Sequence, residues 1–325
     1  MLGVSRLKLL LGLRTQRVPV GPYLVLSPRY LSVYLSVYQR TVSHEQATTT
    51  HGPTNLCYFS YDGTQSFLCE SNAHLTGMIV GGNPTAIENY PSMVQVELLS
   101  QVTGSWSQDC AGSILTSRFI LSAAHERKNV TFRNLEFPYR RVRAGATYRN
   151  FGGSIVYVDS TVKHPTYGTN GLEADISVIR LFTPLTYSPT VRQATIVYAN
   201  SDIPDNTVVV LAGWGRISVT GPISQILRDV SVYTINNRLC AERYSKLGIP
   251  ITVTPTMICS GVLDVGGRDA CHGDSGGPMY LGHIVVGIIS GGYSCANGTY
   301  PGISTAVASY TDWIVDTVYN WPYSH

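Results

Sequence analysis

Ser275, set among glycines and aspartates, is the residue of this chain best suited to nucleophilic chemistry. Residues 267–278 read Gly-Arg-Asp-Ala-Cys-His-Gly-Asp-Ser-Gly-Gly-Pro. Glycines permit a turn tight enough to bring backbone N–H groups beside the hydroxyl, where they would stabilise a developing oxyanion. Clusters of Gly, Ser and Asp are also common in plain turns, so this stretch alone is a moderate indication of a nucleophile.

Two residues far from Ser275 supply the groups that such a serine needs. A serine hydroxyl is a weak nucleophile at neutral pH and requires a base with a pKa of about 7, which histidine offers. His125 ends the run Leu-Ser-Ala-Ala-His, and Asp175 stands in Ala-Asp-Ile-Ser-Val. The order His, Asp, Ser predicts Ser275 as nucleophile and His125 as base and then acid, with Asp175 orienting the imidazole.

The arrangement resembles the trypsin and chymotrypsin family of serine proteases, and within it the digestive trypsins of insects, of the lepidopteran type. The resemblance runs from Ile79 to about Tyr319, roughly three quarters of the chain. Its further motifs are Ile-Val-Gly-Gly at 79–82, Cys-Ala-Gly-Ser-Ile-Leu at 110–115, Gly-Trp-Gly at 213–215, Ser-Gly-Gly at 290–292, Tyr-Pro-Gly at 300–302 and Asp-Trp-Ile at 312–314. It implies an all-β fold of two antiparallel six-stranded β-barrels, with the active site between them and a C-terminal helix.

The resemblance also assigns a substrate pocket. Asp269, six residues before the nucleophile, is placed at the base of the pocket that receives the side chain preceding the scissile bond. A carboxylate there favours Arg or Lys and penalises apolar side chains, which would leave it buried and unpaired. The alternative is a solvated turn aspartate. Gly292 and Gly302 match the two wall positions where glycine admits a long side chain.

Other active-site roles follow from the same resemblance. Backbone N–H groups of Gly273 and Ser275 are expected to form the oxyanion hole. Ser290 matches a family serine that hydrogen-bonds the catalytic aspartate, although a turn serine without a role would look the same in the sequence. Two pocket positions depart from the family, because Gly291 replaces a tryptophan and Ser304 replaces an aromatic residue.

No metal or other cofactor is expected. Vertebrate-type trypsins bind calcium through a loop of carboxylates, whereas residues 144–155 of this chain contain no carboxylate.

Ile79 is expected to become a new N-terminus. In the family, cleavage before such an Ile frees an α-ammonium that pairs with the aspartate preceding the nucleophile, here Asp274, and this pairing forms the oxyanion hole and the pocket. The alternative is that Ile79 simply begins a strand. The preceding residue is Met78, and no Lys or Arg occurs between Arg40 and it. Activation is therefore predicted to need a protease that accepts Met.

Seven cysteines cannot all pair within one chain. The resemblance implies two disulfides, Cys240 with Cys259 and Cys271 with Cys295. Both indicate an oxidising compartment. The family also joins the position of Cys110 to a cysteine directly after the catalytic histidine, but that position is Glu126. The histidine loop would then lack a restraint worth roughly 3 kcal/mol in the chain-entropy model.

Composition favours an all-β catalytic part behind an N-terminal extension. Thirty-one glycines, seventeen prolines and many short β-branched or aromatic runs are typical of β-proteins. Residues 1–44 hold six Lys or Arg and no acid, whereas residues 79–325 hold seventeen charges of each sign. The catalytic part is therefore neutral, without the basic surface of a nucleic-acid-binding protein. No apolar run reaches about 18 residues, so no membrane span is expected.

Residues 1–78 are expected to form a presequence and propeptide, and residues 79–325 the protease domain. The first barrel is placed at about 79–195, the second at about 196–307 and a helix at about 308–319. The first 44 residues admit three interpretations: a weak secretory signal, an organellar transit segment or an incorrect gene start. Cys57 and Cys69, in the turn-rich segment 41–78, either close a small loop or are incidental.

Short apolar and β-branched runs predict the individual strands. Those of the first barrel are 93–99, 112–122, 141–145, 155–162 and 176–181. Those of the second barrel are 208–213, 227–234, 256–260, 278–290 and 302–307. An apolar stripe predicts the final helix. The stripe consists of Trp313, Ile314, Val315 and Val318.

The favoured hypothesis is a secreted, digestive serine endopeptidase of the gut lumen that cleaves after Arg or Lys through an acyl-enzyme. Its partners would be protein and peptide substrates and protein inhibitors, with no nucleic acid, no membrane and a monomeric state. The alternative is a protease homologue that binds proteins and scarcely cleaves, because Met78 blocks activation or Glu126 loosens the catalytic residues. A structural or adhesive role of residues 1–78 is a third hypothesis.

Overall fold

The computed structural model describes residues 57–61, 65–69, 79–125, 139–169 and 171–321. The chain divides into two compact units, Met1–Ala73 and His74–His325. In the first unit, strands β1 (Cys57–Tyr61) and β2 (Gln65–Cys69) form an antiparallel hairpin. Its register sets the backbone of Cys57 opposite that of Cys69. The predictions for residues 1–44 lie outside the described residues.

Six antiparallel strands of the second unit close into a first barrel. In chain order they are β4 (Met93–Leu99), β5 (Trp106–Ile114), β6 (Phe119–Ser122), β7 (Arg140–Ala144), β8 (Ser154–Lys163) and β9 (Ser177–Leu181). Around the barrel they pair in the order β4-β5-β6-β9-β8-β7. Val94, Ile120 and Val142 belong to its fully buried aliphatic interior.

The second barrel also has six antiparallel strands. They are β11 (Val208–Gly213), β12 (Arg228–Ile235), β13 (Met257–Gly261), β14 (Pro278–Leu281), β15 (Ile284–Gly291) and β16 (Gly302–Ala306). Pairing of β15 with β16 closes the ring. Two short strands attach outside it, β3 (Asn83–Pro84) to β12 and β10 (Thr195–Ile196) to β15. The predicted fold of two six-stranded barrels is confirmed.

Two α-helices occur among the described residues of the second unit. α1 (Asn237–Tyr244) begins where the Asn236 side chain accepts a hydrogen bond from the Leu239 N–H, and it buries Cys240. α2 (Thr311–Tyr319) begins three residues later than expected, because 307–309 form a 3-10 turn. No helix in the described ranges is both long enough and apolar enough to cross a membrane.

The terminal helix corrects one part of the predicted apolar stripe. Ile314 is buried, and Trp313 and Val318 pack against the core beside it. Val315, which was predicted to share that stripe, is 58% exposed. It lies one residue after Ile314, about 100° around the helix, and so it points away from the barrel.

Two predicted strands contain turns that the sequence pattern did not show. The run 112–122 is the end of β5, a turn and then β6, and the run 278–290 is the hairpin of β14 and β15. Leu115 lies in the first of these turns and is only 7% exposed. The turn therefore contains a buried apolar residue, and the apolar run in the sequence extends past the end of β5. The segments 93–99 and 208–213 coincide with β4 and β11.

A shared apolar cluster joins the two barrels beneath the cleft. Leu121 and Ile176 contribute from the first barrel, and Tyr280 and Trp214 from the second. Each is at most 3% exposed. Burial of one such side chain contributes about 1.5–3 kcal/mol, so the elements that carry the candidate site rest on a common, well-packed base.

Candidate active site

His125 and Asp175 meet through a direct hydrogen bond at the ends of two adjacent strands. His125 follows β6 and Asp175 precedes β9, and these strands pair with each other. The His125 Nδ1 lies 2.6 Å from the Asp175 Oδ2. Asp175 Oδ1 accepts hydrogen bonds from the backbone N–H groups of Ala124 and His125, both at 2.8 Å. Because Nδ1 faces the carboxylate, Nε2 is the ring nitrogen left for proton transfer.

Asp175 is fully buried, and donors from the second barrel complete its surroundings. The Ser290 hydroxyl donates to Asp175 Oδ2 at 2.5 Å, and the Thr305 hydroxyl donates to the Asp175 backbone carbonyl at 2.9 Å. The bond from Ser290, with those from the Ala124 and His125 N–H groups, offsets the cost of burying the carboxylate. Asp175 and Ser290, which the sequence predicts as partners, are thus in contact.

Ser275 enters the same cleft from the second barrel, on the loop that precedes β14. The cleft has a volume of about 260 Å³ and is lined by His125, Ser290 and Gly292 as well. The His125 side chain is 28% exposed, so the imidazole is partly open to the cleft. The three residues predicted as nucleophile, base and orienting acid are brought to one place.

Two backbone N–H groups beside the Ser275 hydroxyl lack a protein acceptor within the described part of the chain: those of Gly273 and Ser275. In a trans peptide the N–H points opposite to the C=O. The two carbonyls concerned are held elsewhere, since His272 O accepts from the Arg216 N–H at 2.8 Å and Asp274 O accepts from the Gly277 N–H at 2.9 Å. The N–H groups are therefore available to an oxyanion.

Asp269 lines the buried end of the cleft and is 4% exposed. Its Oδ1 accepts from the Ala270 N–H at 2.8 Å and its Oδ2 from the Ala296 N–H at 3.0 Å. Burial raises the pKa of this carboxyl to about 7; those two N–H groups act in the opposite direction, and the neighbouring Asp274 adds to the rise. Nothing in the described ranges gives it an ion-pair partner, so a ligand cation would meet a desolvated acid.

Two glycines keep the approach to Asp269 open. A Cβ atom at Gly302 would lie 2.7 Å from Asp269 Oδ1, and a Cβ atom at Gly292 would lie 3.2 Å from the Tyr244 hydroxyl. Any larger residue at either position would displace these neighbours or fill the space above the carboxyl. Both predicted wall positions thus border the cleft that contains Asp269.

Both predicted disulfides are present. Cys240–Cys259 joins α1 to β13, and Cys271–Cys295 joins the nucleophile loop to the cleft wall. His272 stands beside the second pair of sulfurs, but these are bonded to each other and offer no thiolate to a metal.

Ile79 and Asp274 are both fully buried. Asp274 Oδ1 accepts from the Gly215 N–H at 2.7 Å, and its Oδ2 accepts from the Cys271 N–H at 2.9 Å. Burial raises the pKa of Asp274 to about 7, against the effect of these two donors. Ile79 packs in the second barrel's core and has a φ of 40°, which is unusual for a β-branched residue. The predictions for Met78 and Glu126 lie outside the described residues.

Comparison with known proteins decides the family. Residues 79–314 match the family model for trypsin. The chain belongs to the trypsin family. It is 42% identical to alkaline trypsin C of Manduca sexta and 41% identical to trypsin CFT-1 of Choristoneura fumiferana. Each alignment has 236 residues and covers 73% of this chain and 89% of the relative. Achelase-1 of Lonomia achelous is 39% identical over 216 residues, covering 65% of this chain and 95% of that protein.

This trypsin-family chain is therefore a trypsin-like serine endopeptidase. Secretion and synthesis as a zymogen are typical of the family, and its members act on proteins and bind protease inhibitors.

Tyr244 lies behind the walls of the cleft, and no motif in the sequence predicts its role. It is 1% exposed on α1, and its hydroxyl donates to Pro301 O at 2.6 Å while accepting from the Tyr293 N–H at 3.2 Å. One hydroxyl thus links the two wall segments that carry Gly292 and Gly302. No motif marks this tyrosine, because α1 is short and mostly polar.

Proposed function

We propose that this trypsin is a secreted digestive enzyme that cleaves peptide bonds after Arg or Lys. The observation that carries the proposal is the desolvated carboxyl of Asp269 in the same cleft as Ser275 and His125. A substrate guanidinium or ammonium would supply the charge partner that the described residues do not give it. An apolar side chain would leave the carboxyl buried and unpaired, at a cost of several kcal/mol if it were ionised.

The catalytic roles follow from the positions of the donors and acceptors. Ser275 Oγ attacks the scissile carbonyl carbon and passes its proton to His125 Nε2. The carbonyl oxygen becomes an oxyanion, which accepts hydrogen bonds from the N–H groups of Gly273 and Ser275. Asp175 holds Nδ1–H and stabilises the imidazolium.

Collapse of this intermediate breaks the peptide C–N bond, and the leaving amine takes its proton from His125. An ester to Ser275 remains. Water then attacks this acyl-enzyme, with His125 again accepting and returning a proton, and releases the free acid. Ser290 supports both halves of the reaction through its hydrogen bond to Asp175.

Activation is proposed to proceed by cleavage before Ile79. The new α-ammonium would pair with Asp274, a buried carboxyl whose donors within the described part of the chain are the backbone N–H groups of Gly215 and Cys271. Cleavage would also release the left-handed backbone at Ile79 from the peptide bond that defines its φ. We further propose that the enzyme is monomeric, acts in the gut lumen and has no nucleic-acid or membrane partner.

A controlled activation tests the proposal. In the full chain, residues 74–78 are replaced by Asp-Asp-Asp-Asp-Lys, so that enteropeptidase exposes Ile79. Four matched reporter peptides carry Arg, Lys, Phe or Leu before the scissile bond. The expected result is cleavage after Arg and Lys alone, lost in Ser275→Ala and reduced by a factor on the order of 10⁴ in Asp269→Asn.

Two results would contradict the proposal. Preference for Phe or Leu would overturn the role of Asp269 while leaving the chain a serine protease. If folded protein with a free Ile79 N-terminus cleaves none of the four peptides, the result would favour a homologue that binds proteins without cleaving them.

A further inference from the structure

Gln108 is a buried glutamine of the first barrel that reaches the nucleophile loop of the second. It lies on β5 and is 3% exposed. Its side-chain Nε2 donates to Gly273 O at 2.6 Å and to Cys110 O at 3.1 Å. Gly273 is two residues before Ser275, so this amide connects the first barrel directly to the backbone beside the nucleophile.

The orientation of the Gln108 amide is fixed by a neighbour that can only donate. The Arg149 Nε donates to Gln108 Oε1 at 2.9 Å, and Arg149 Nη2 donates to the Gln108 backbone carbonyl at 2.7 Å. Because guanidinium has no acceptor, the oxygen of the amide must face Arg149 and its nitrogen must face Gly273. The Gln108 N–H donates to Asn150 Oδ1 at 2.8 Å, which secures the backbone as well.

Gly273 has little conformational preference of its own. Its φ is 102°, a region that glycine enters without steric cost, and its N–H is one of the two available to an oxyanion. The peptide group that follows Gly273 is held at both ends, by Gln108 at the carbonyl and by the bond from the Asp274 N–H to Cys271 O at 2.9 Å. Without the bond from Gln108, this peptide group would keep only the restraint at the Asp274 N–H, and the permissive Gly273 backbone, which carries one of the two available N–H groups, would be less firmly held.

A second bond from the same strand supports the same loop. The Ala111 N–H donates to Ser275 O at 2.8 Å. Strand β5 thus holds the carbonyls of Gly273 and Ser275, while their N–H groups remain available to the cleft. Only the bond from Gln108 depends on a side chain and can be removed by substitution.

We propose that Gln108 is a positioning residue of the oxyanion hole. It contacts no reacting atom; it acts through Gly273, whose N–H it keeps directed at the position of the oxyanion. The inference rests on the proposed function, in which Gly273 and Ser275 stabilise that oxyanion. Its consequence is that Gln108 stabilises the transition state more than the bound substrate.

Two variants separate the donor from the rest of the side chain. Gln108→Glu keeps the shape and the acceptor for Arg149 but removes the donor to Gly273, and Gln108→Met removes both polar groups. Thr234→Val is the control, because Thr234 is a similarly buried polar residue on β12 whose hydroxyl donates to Pro204 O and accepts from the Thr207 N–H, away from the nucleophile loop.

The readout compares two inhibitors on the activated full chain. Benzamidine fills the pocket of Asp269 alone, whereas a peptidyl boronic acid ending in Arg forms a tetrahedral adduct on Ser275 with an oxygen in the oxyanion hole. In both Gln108 variants we expect kcat and boronate affinity to fall roughly three- to tenfold, with KM and benzamidine affinity changed less than about twofold. Thr234→Val should lower the melting temperature and leave the ratio of the two affinities unchanged.

The outcomes are distinguishable. If the Gln108 variants lose the same factor of affinity for both inhibitors, or lose no affinity for the boronic acid, the inference is overturned. The proposed function still stands in that case, provided that the wild-type chain cleaves Arg and Lys peptides. A wild-type chain that cleaves nothing would overturn both. Should Gln108→Met not fold, Arg149→Met tests the same link, because it releases the amide and should lower boronate affinity selectively.

Discussion

Asp269 and Asp274, five residues apart, are both buried carboxyls whose pKa values are raised to about 7, with burial as the largest cause. Backbone N–H groups are their only hydrogen-bond donors in the described ranges. In the proposed enzyme each acquires a cation from outside, Asp269 from the substrate and Asp274 from the new N-terminus. In this proposal, two aspartates with similar burial and similar backbone donors have different roles: Asp269 recognises the substrate, and Asp274 binds the new N-terminus.

The titration of Asp269 predicts a pH-dependent affinity for benzamidine. A cation favours the ionised carboxyl, so affinity should be constant above about pH 7 and fall as the pH drops through that value, approaching tenfold for each further unit. Kd measured between about pH 5.5 and 8.5 checks this, because the amidine stays charged throughout. Asp269→Asn should bind weakly at every pH, and a flat wild-type profile would contradict the raised pKa.

Replacing Ser290 tests whether its hydrogen bond to Asp175 contributes to the proposed proton transfer by His125. Ser290→Ala removes the 2.5 Å bond to a buried carboxylate, and such a bond contributes about 1.5–3 kcal/mol. We expect kcat for an Arg peptide to fall by roughly 10- to 100-fold with a smaller change in KM. Ser260→Ala is the control, since Ser260 lines the same cleft and is 1% exposed. Equal losses in the two variants would show that Ser290 matters only for packing.

Among the elements, helix α1 contacts both wall segments of the cleft through the hydroxyl group of Tyr244. Tyr244→Phe removes the bonds to Pro301 O and the Tyr293 N–H and keeps the ring in place. The two walls should then separate more easily, raising KM for Arg peptides and Kd for benzamidine by about tenfold, with little change in kcat. Tyr187→Phe, at a 48% exposed tyrosine outside the cleft lining, should change none of these constants. A loss confined to kcat would contradict the predicted role of α1.

Local motifs predict some residues of the site and not others. His125, Asp175, Ser275 and Asp269 stand in short motifs whose residue types are dictated by chemistry or by a tight turn. Three of them line one cleft, and Asp175 is hydrogen-bonded directly behind His125. Tyr244 and Gln108 stand in no such motif, because each is distinguished only by hydrogen bonds to backbone groups distant in sequence. The choice of residue at such a position depends on tertiary geometry, and no local pattern encodes it.

At the scale of the whole molecule, activation should change how stability depends on pH. In the uncleaved chain the folded pKa of Asp274, about 7, lies above its ordinary value of 3.8, so the folded state holds the proton more tightly. Its contribution is fully present below about pH 4 and is lost as the pH rises through about 7. A paired α-ammonium would favour the ionised form, so cleavage before Ile79 should diminish this loss.

Urea unfolding measures the difference directly. The free energy of unfolding is compared at about pH 4.5 and 7.5 for cleaved and uncleaved protein, both carrying Ser275→Ala to prevent autolysis. Both forms also carry Asp269→Asn, because the pKa of Asp269 depends on Asp274 and its titration would otherwise differ between them. If the free energy of unfolding falls by the same amount between the two pH values in both forms, the new N-terminus does not reach Asp274.

Covalent labelling shows whether Ser275 is the nucleophile of this cleft. The chain carrying the enteropeptidase site is treated with a fluorophosphonate before and after cleavage at Ile79, and the adduct is located by peptide mass spectrometry. We expect one adduct per chain, on Ser275, formed rapidly only after cleavage and abolished in His125→Ala. An adduct on another serine, or none on folded and cleaved protein, would contradict the assignment of this cleft as the active site.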